Sequence, residues 1–268
     1  MKVNNKVIVV TGGGSGIGRA LVLKLAGKGA RIAAIDKNEA TLKETSDLAG
    51  GNNDRISLHV VNVSDRSAVV SLPEHIIAAH GAVDGLINNA GIIQPFVRFN
   101  DLDNDDIERV LNYNLYGQIH MTKAFLPYLL ERPEAHVVNI SSMGGFFPVP
   151  GQTLYGASKA AVKLLTEGLY AELMGTNVKV TVVFPGAVDT NIAQNSGVVL
   201  EVRDDEKAQS FSLLSPKVAA DKIIDGMERN RFQVYLGKDA HMMNFLYRIN
   251  PRWATNFMFK QMKTILPD

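Results

Sequence analysis

A β-branched run followed at once by a glycine-rich turn most constrains the fold of this 268-residue chain. Residues 6–10 read Lys-Val-Ile-Val-Val, which is typical of a strand buried on both faces of a parallel sheet. Residues 11–18 read Thr-Gly-Gly-Gly-Ser-Gly-Ile-Gly, and Ile17, Leu21 and Leu25 then recur at helical spacing. Strand, turn and helix in this order predict a phosphate-binding turn, because glycines let the backbone approach a pyrophosphate and helix N-termini offer free N–H groups. Without the flanking strand and helix, the glycine-rich turn would be as compatible with an ordinary loop as with a phosphate-binding turn.

An acidic residue ends the second predicted strand. Residues 31–35 form that strand, and Asp36 follows it, eighteen residues after Gly18. A carboxylate at this place accepts hydrogen bonds from the adenosine ribose hydroxyls and repels a 2′-phosphate. We therefore predict NAD as the preferred cofactor. Lys37 comes next and weakens the discrimination between NAD and NADP, so NADP stays open as an alternative.

Short apolar strands alternate with helical stretches along the chain. The candidate strands are residues 6–10, 31–35, 56–61, 85–88, 136–140, 179–184 and 233–236. This alternation predicts an α/β fold, a doubly wound parallel sheet of about seven strands of the Rossmann type. No linker or repeat divides the chain, so we expect one domain over residues 1–240 and an amphipathic extension over residues 241–268.

A second pattern joins Ser142, Tyr155 and Lys159. Residues four apart on a helix share one face, with Cβ atoms roughly 5–6 Å apart. A nearby cation favours a phenolate, so we expect Lys159 to lower the pKa of Tyr155 from its usual value of about 10. Tyrosine then becomes a usable general acid or base. On its own such a pair is more often a solvated surface pair, and the phosphate-binding turn upstream is what gives it functional meaning.

Six ordered motifs resemble the short-chain dehydrogenase/reductase family and together cover the chain to about Leu236. They are the glycine turn 11–18, Asn88-Asn89-Ala90-Gly91, Asn114, Ser142, Tyr155-Gly156-Ala157-Ser158-Lys159 and Pro185-Gly186. The resemblance implies an NAD(P)-dependent oxidoreductase that transfers a hydride between the nicotinamide and an alcohol or carbonyl substrate.

The resemblance also implies catalytic roles. Tyr155 is the general acid/base toward the substrate oxygen, and Ser142 hydrogen-bonds that oxygen. Lys159 lowers the tyrosine pKa and binds the nicotinamide ribose, while Asn114 holds a water that links Lys159 to solvent. From the residues alone, Ser142 is also compatible with capping a turn and Asn114 with a buried helix amide.

The cofactor-binding residues that the resemblance implies run along most of the chain. They are Gly12, Ser15, Gly16, Ile17, Gly18, Asp36, Asn62, Val63, Asn89, Ala90, Gly91, Tyr155, Lys159, Pro185, Gly186, Val188 and Thr190. Asn62 departs from the family pattern, which commonly has an aspartate near the adenine. An amide oxygen still accepts from the adenine amino group, so we expect cofactor binding with altered strength.

The segments expected beside the catalytic residues are mostly apolar. They are residues 92–96, residues 146–150 and the stretch after Thr190, with Gln94, Gln152 and Asn195 as polar exceptions. No arginine cluster is present to clamp a carboxylate or phosphate, so a hydrophobic ketone or secondary alcohol is the predicted substrate. The alternative is that these residues only pack the domain. Residues 191–215 show no clear periodicity of apolar residues, and we expect them to form a lid over the substrate pocket.

Composition excludes several classes of function. A net charge of +1 gives no electrostatic case for a nucleic-acid partner. The chain has no cysteine and its six histidines lack ligand-type spacing, so no metal site is predicted. The first residues lack a signal-peptide pattern and no apolar run reaches the length of a membrane span, so a cytoplasmic location is expected.

In the tail, residues 241–268, apolar residues recur at helical spacing and basic residues lie among them. Packing on the protein's own body or on a subunit partner is the favoured interpretation, and contact with a membrane surface is the other. In the resembled family, helices corresponding to residues 106–129 and 153–174 often pair across a two-fold axis. A homodimer or homotetramer is therefore expected.

Two other classes of function stay open. A non-catalytic dinucleotide sensor typically loses the tyrosine or the lysine, and this chain has both. An epimerase or lyase that uses bound NAD internally is usually longer, with a substantial C-terminal substrate domain. The intact residue set favours the oxidoreductase, since fold alone does not decide function.

Overall fold

One parallel sheet organises the molecule. The computed structural model describes residues 1–51, 54–198 and 213–262, and within them seven strands pair in the order β3-β2-β1-β4-β5-β6-β7. The strands are β1 (Val7–Thr11), β2 (Arg31–Asp36), β3 (Ile56–Val60), β4 (Gly85–Asn88), β5 (Ala135–Ile140), β6 (Val178–Pro185) and β7 (Gln233–Leu236). The predicted fold class is therefore confirmed, and each predicted strand end lies within one residue of its observed place.

Helices cover both faces of the sheet. They are α1 (Gly16–Gly27), α2 (Glu39–Leu48), α3 (Arg66–Val70), α4 (Leu72–His80), α5 (Asn104–Leu111), α6 (Gly117–Leu130), α7 (Thr153–Glu172), α8 (Ile192–Asn195), α9 (Pro216–Glu228), α10 (Lys238–Ile249) and α11 (Pro251–Met262). A π-helical turn, Asn112–Tyr116, separates α5 from α6. The strand order reverses between β1 and β4, which is where such sheets open a ligand crevice at their carboxyl ends.

The sheet separates two apolar clusters, which explains why its central strands are apolar on both faces. Ile8 and Val10 of β1 join the cluster formed with α1 and α9, whereas Val7 and Val9 join the cluster formed with α4 and α6. Alternate residues of a strand point to opposite faces, so this strand needs apolar side chains at successive positions. The β-branched run of the sequence therefore specifies a strand buried between two helical layers.

The last two helices build a third cluster beside the sheet. Phe147, which follows β5, packs there with Met243 of α10 and with Ala254 and Met258 of α11. These buried residues of the tail thus pack on the protein's own body, as the favoured interpretation of the tail sequence predicts. No helix in the described ranges is long and apolar enough to cross a bilayer.

The predicted lid is described only in part. Residues 191–198 include α8, and residues 213–215 lead into α9, but residues 199–212 lie outside the described residues. Among the residues that the structure describes, no group of three or more histidines and carboxylates is placed to hold a metal ion.

Candidate active site

Thr11 ties the ends of β1 and β4 together at the point where the strand order reverses. Its hydroxyl oxygen accepts from the backbone N–H of Asn89 at 2.9 Å and of Ala90 at 3.0 Å. The Asn89 amide in turn donates to the Thr11 carbonyl at 3.0 Å. Sequence reasoning did not single out Thr11 as a site residue, although it opens the glycine turn. These bonds hold Asn89 and Ala90 against that turn.

The glycine turn is packed too closely to carry side chains. Gly12 has a φ of +68°, and a Cβ there would lie 2.9 Å from the Asn89 side-chain nitrogen. A Cβ on Gly18 would collide with the Gly12 carbonyl. Ser15 is the N-cap of α1, but its side chain makes no capping hydrogen bond, so the first N–H groups of this helix lack a side-chain acceptor. An uncapped helix N-terminus beside a bare backbone turn fits the pyrophosphate of a dinucleotide.

Asp36 lies at the carboxyl end of β2 and is joined to the glycine turn. One carboxylate oxygen accepts from the Gly14 N–H at 3.0 Å and the other from the Asn38 N–H at 3.1 Å. The neighbouring Lys37 places its Nζ 5.1 Å from the centre of the Tyr113 ring. Burial and the charge of Asp36 raise the pKa of Tyr113 to about 12. The expected ribose-binding carboxylate therefore has a fixed position at the second strand end.

Asn62 and Val63 follow β3 at the far end of this crevice. The Asn62 side-chain oxygen accepts from the N–H of Ser64 at 3.2 Å and from its hydroxyl at 2.9 Å, which shapes a turn. Val63 is buried, and a Cβ on Gly117 would lie 2.8 Å from one of its methyl groups. The oxygen that was expected to accept from an adenine amino group is thus already shared with Ser64.

Ser142 and Tyr155 are both half-buried near the carboxyl end of β5. Ser142 follows β5 and starts a short 3₁₀ turn, where its hydroxyl oxygen accepts from the Gly144 N–H at 3.1 Å. A Cβ on Gly144 would lie 3.5 Å from the Ser142 Oγ and 3.5 Å from a ring carbon of Tyr155, which stands in the first turn of α7. Ser142 therefore caps a turn beside the tyrosine, and its role toward a substrate oxygen stays a prediction.

Lys159 is buried one helical turn further along α7. Only 3% of its surface is exposed, and its Nζ donates to the Ile140 carbonyl at 3.0 Å. Burial lowers the pKa of Lys159 to about 8. A Cβ on Gly91 would lie 3.2 Å from the Lys159 Nζ, so the absence of a side chain at Gly91 leaves room beside the ammonium.

The prediction that Lys159 lowers the pKa of Tyr155 is wrong for this arrangement. Burial raises the pKa of the Tyr155 phenol, and the nearby Ser142 hydroxyl acts more weakly in the lowering direction. The Lys159 Nζ lies 6.0 Å from the centre of the tyrosine ring and donates a hydrogen bond to the Ile140 carbonyl instead. Helical spacing placed both residues on one face, but it did not fix where the ammonium points.

Asn114 lies in the π-helical turn, and its amide is fully buried. The side-chain oxygen accepts from the Ile92 N–H at 2.8 Å, while the nitrogen donates to the Ile92 carbonyl at 2.9 Å and to the Ser158 hydroxyl at 3.1 Å. Both amide protons are therefore used within the protein, as in the buried-amide interpretation. π-Helical turns occur frequently at functional sites, and this one fixes Ile92 and Ser158 beside Lys159.

Gln94 positions the start of α7. Its side-chain oxygen accepts from the N–H groups of Leu154 at 2.8 Å and of Tyr155 at 3.0 Å, and its nitrogen donates to the Gly151 carbonyl at 3.0 Å. The Gln152 amide donates to the Gln94 carbonyl at 2.8 Å. The sequence suggested Gln94 as a polar group of the substrate pocket, but the structure uses its amide oxygen at the start of α7 and its nitrogen on the Gly151 carbonyl just before that helix.

The segment after β6 crosses the glycine turn. Pro185 ends the strand, Val188 pairs with Leu214, and a Cβ on Gly16 would lie 3.2 Å from the Thr190 methyl group. The Asn195 side chain donates to the Ser15 hydroxyl at 2.9 Å. This segment therefore lies where it can cover a dinucleotide bound at the turn.

Asp239, at the start of α10, fixes the loop that follows β6. Its carboxylate accepts from the Ala187 N–H at 2.7 Å and occupies the space where side chains on Gly186 and Gly237 would stand. Sequence reasoning missed Asp239, because its partner is 52 residues away and no local pattern marks it.

Part of the expected substrate-pocket lining belongs to the core. Phe147 is 1% exposed within the tail cluster. Phe146 packs edge-to-face on Phe184 and Tyr235, with ring centres 5.4 and 5.9 Å apart. The packing interpretation is therefore correct for these two phenylalanines.

Comparisons with known proteins agree with this geometry. A family model described as short chain dehydrogenase matches residues 6–198. SadH of Mycobacterium tuberculosis, a protein named as an oxidoreductase, is 37% identical over 254 residues, which are 91% of this chain and 90% of that protein. The 3-oxoacyl-[acyl-carrier-protein] reductase FabG of Thermotoga maritima is 35% identical over 196 residues, 72% of this chain and 78% of that protein.

A solved structure shares the fold. A short-chain dehydrogenase/reductase from Burkholderia phymatum, solved in complex with NAD, superposes with a TM-score of 0.80 at 28% identity and covers 88% of this chain and 90% of that one. The seven-stranded parallel sheet agrees with this match. The chain belongs to the short-chain dehydrogenase/reductase family of oxidoreductases.

Proposed function

We propose that this enzyme prefers NAD and interconverts a hydrophobic secondary alcohol and its ketone. The observation that carries the proposal is that half-buried Ser142 and Tyr155 both lie beside Gly144, after the end of β5 and one helical turn from buried Lys159. A bound nicotinamide supplies or takes up the hydride, and a protein acid or base must then move one proton. Tyr155 is the group in this cleft that is suited to do so.

The protonation state of Tyr155 defines its part in the reaction. Because burial raises its pKa, the phenol is protonated at neutral pH. It therefore donates its proton to the substrate oxygen during reduction of a ketone, and solvent then reprotonates the phenolate that is left. Oxidation of an alcohol is the reverse, so the phenol must first lose its proton to solvent before it accepts the proton of the alcohol. The Ser142 hydroxyl, which lies beside the phenol, would orient the substrate oxygen toward it. Lys159 would bind the nicotinamide ribose in the space that Gly91 leaves open.

The cofactor would lie along the carboxyl ends of the strands. The backbone of the glycine turn and the uncapped N-terminus of α1 would hold the pyrophosphate, and Asp36 would accept from the adenosine ribose hydroxyls. Further residues proposed to contact it are Gly12, Ser15, Gly16, Ile17, Gly18, Asn62, Val63, Asn89, Ala90, Gly91, Pro185, Gly186, Val188 and Thr190. The fixed Asp36 carboxylate supports NAD over NADP, because it would repel a 2′-phosphate.

Substituting Asp36 tests this cofactor preference. Asp36→Asn keeps an acceptor toward the Gly14 N–H but removes the negative charge. We expect it to reduce the preference for NAD over NADP by about tenfold or more, since a charged hydrogen bond contributes about 1.5–3 kcal/mol. The dissociation constants of both cofactors, measured by fluorescence titration, give the result. Equal affinities for the two cofactors in the unmodified protein would show that Lys37 offsets the carboxylate and would contradict the proposal.

The substrate class is open to a direct screen. The apolar segments beside the cleft and the absence of an arginine cluster in the sequence support a hydrophobic substrate. Purified protein with NAD or NADH is mixed with ketones and secondary alcohols of rising chain length, and with 2-oxo acids as the charged control. We expect a change in nicotinamide absorbance with the uncharged compounds only. NAD binding without turnover of any of them would instead favour the dinucleotide sensor.

A further inference from the structure

Five large apolar side chains are exposed on the last two helices. The exposed fractions are 45% for Met242, 64% for Phe245, 66% for Ile249, 52% for Trp253 and 49% for Phe259. We call this set the outer face of the tail. Phe245 and Ile249 follow Met242 by three and seven residues, so the three side chains lie on one side of α10. Apolar side chains exposed in such a group mark an interaction surface.

The outer face belongs to a packed part of the molecule. The same helices also carry buried Met243, Ala254 and Met258, which pack on Phe147. The ring of Trp253 stacks on that of Phe257, with ring centres 5.7 Å apart and planes 14° apart. Since α10 and α11 already bury one side against the body, their outer side is the one left for a partner.

The charge of the tail identifies that partner's chemistry. Between Ala240 and Met262 the chain has Arg248, Arg252 and Lys260, all exposed, and no acidic residue. Residues 1–239 contain 24 basic and 26 acidic residues, so the positive charge is concentrated at the end of the chain. Apolar side chains among unbalanced basic ones complement an interface rich in anionic lipid.

We propose that the outer face of the tail docks the enzyme on an anionic lipid surface. A second copy of the chain fits this face less well, because a two-fold contact would place Arg252 and Lys260 close to the same residues of the partner. Trp253 also favours the lipid interface, where an indole ring keeps one part in apolar and one part in polar surroundings. The helices would lie in the plane of the interface.

Docking would bring the catalytic cleft close to the lipid. The inner side of the tail packs against Met143, Phe146, Phe147 and Val149, in the segment that follows Ser142. A substrate dissolved in the bilayer would then reach the cleft without crossing much water. This consequence rests on the proposed function, whereas docking itself does not.

Co-sedimentation of the full chain with vesicles tests the proposal. Vesicles of phosphatidylcholine alone are compared with vesicles that also contain phosphatidylglycerol. We expect binding to the anionic vesicles, and weaker binding as salt is added. The double variant Arg252→Gln/Lys260→Gln should lower the partition coefficient about 25-fold, since each basic residue near an anionic surface contributes about fivefold. Phe245→Ser/Trp253→Ser should lower it about tenfold or more.

Matched substitutions elsewhere control for nonspecific effects. Leu48 is 60% exposed at the end of α2, and Lys222 is exposed on α9, so Leu48→Ser and Lys222→Gln should leave the partition coefficient unchanged. Circular dichroism checks that each variant is folded. Vesicle binding needs no turnover, so its failure is distinguishable from failure of the proposed oxidoreduction. Equal binding to neutral and anionic vesicles, no binding to either, or an effect of the tail variants on subunit mass alone would overturn the proposal.

Discussion

A buried glutamine holds the start of the helix that carries Tyr155. Gln94 is fully buried, and its side-chain oxygen accepts from the N–H groups of Leu154 and Tyr155 at the start of α7. The first N–H groups of a helix have no partner within the helix, so one amide oxygen satisfies two of them here. The position of the phenol therefore depends on a residue 61 positions away in the sequence.

Gln94→Leu removes this acceptor and keeps most of the side-chain volume. We expect it to lower the free energy of unfolding by about 1–3 kcal/mol, because two buried N–H groups lose their partner. We also expect kcat to fall while the dissociation constant of NAD changes little. Gln94→Glu retains the acceptor and should restore part of the kcat. Urea unfolding and steady-state kinetics measure both effects, and unchanged kcat in Gln94→Leu would contradict the positioning role.

The sequence predicts which residue types form the candidate site better than it predicts the contacts that these residues make. Ser142, Tyr155, Lys159 and Asp36 were identified from motif and spacing. The pKa direction of Tyr155 was wrong, because spacing on a helix does not say that the Lys159 Nζ bonds the Ile140 carbonyl. The roles of Gln94 and Asp239 were missed, since each depends on a partner brought close only by the folded chain.

At the scale of elements, the strands were the most predictable part. Runs such as the one at β1 are apolar on both faces, and this alone distinguishes a central parallel strand from an amphipathic helix. The π-helical turn between α5 and α6 was not predicted. It carries Asn114, whose amide bonds both backbone groups of Ile92, and that tertiary contact is invisible in a local sequence window.

A buried histidine in β5 should make the sheet sensitive to acid. Thr181 donates its hydroxyl proton to the Arg231 carbonyl at 2.6 Å, so the His136 Nε2 must carry the hydrogen in its 2.8 Å bond to the Thr181 oxygen. Burial lowers the pKa of His136 to about 3. A histidine whose pKa is lower in the folded state contributes stability that is present above its unfolded pKa of about 6.5 and is lost at lower pH.

We therefore expect the free energy of unfolding to fall as the pH decreases from 6.5 toward 3. In His136→Gln the fall should be less steep, because the variant has no proton to bind at this position, while the amide keeps a donor toward Thr181. Urea unfolding at a series of pH values compares the two slopes. Parallel slopes across this range would show that His136 does not contribute to the acid dependence.

At the scale of the whole molecule, α7 carries an uncharged strip on its outer side. Ala157, Ala160, Leu164, Gly168 and Ala171 recur at three or four residues, and all are exposed. Leu164 is 69% exposed. Small residues in such a strip allow another helix to approach closely, and a two-fold pairing would cover it. We therefore expect a homodimer, or a tetramer built from it, with α7 at the interface.

Leu164→Arg tests this assembly. Two arginines brought close across a two-fold axis repel each other and are desolvated, so we expect the subunit dissociation constant to rise about tenfold or more. Leu48→Arg, a substitution at a similarly exposed leucine on α2, is the control and should leave it unchanged. Light scattering over a range of protein concentrations gives the masses. A monomer mass for the unmodified protein at micromolar concentration would contradict the expected pairing.

The overall architecture followed from the sequence, but the surface did not. Alternating strands and helices were enough to predict the doubly wound sheet. Apolar periodicity in the tail showed that α10 and α11 are helical, whereas only the fold shows which side meets Phe147 and which side keeps Phe245 and Trp253 exposed. Sequence spacing defines a face of a helix, and the tertiary structure decides whether that face is covered.

The central claim is that Tyr155 moves the proton, and Tyr155→Phe tests it most directly. The substitution removes only the phenol oxygen, so the dissociation constant of NAD should stay within about twofold. With the substrate found in the screen, kcat should fall about 10²- to 10⁴-fold, the usual contribution of a positioned acid or base. Cofactor titration and single-turnover kinetics on the same preparation measure both quantities. Near-normal kcat in the phenylalanine variant would contradict the assignment.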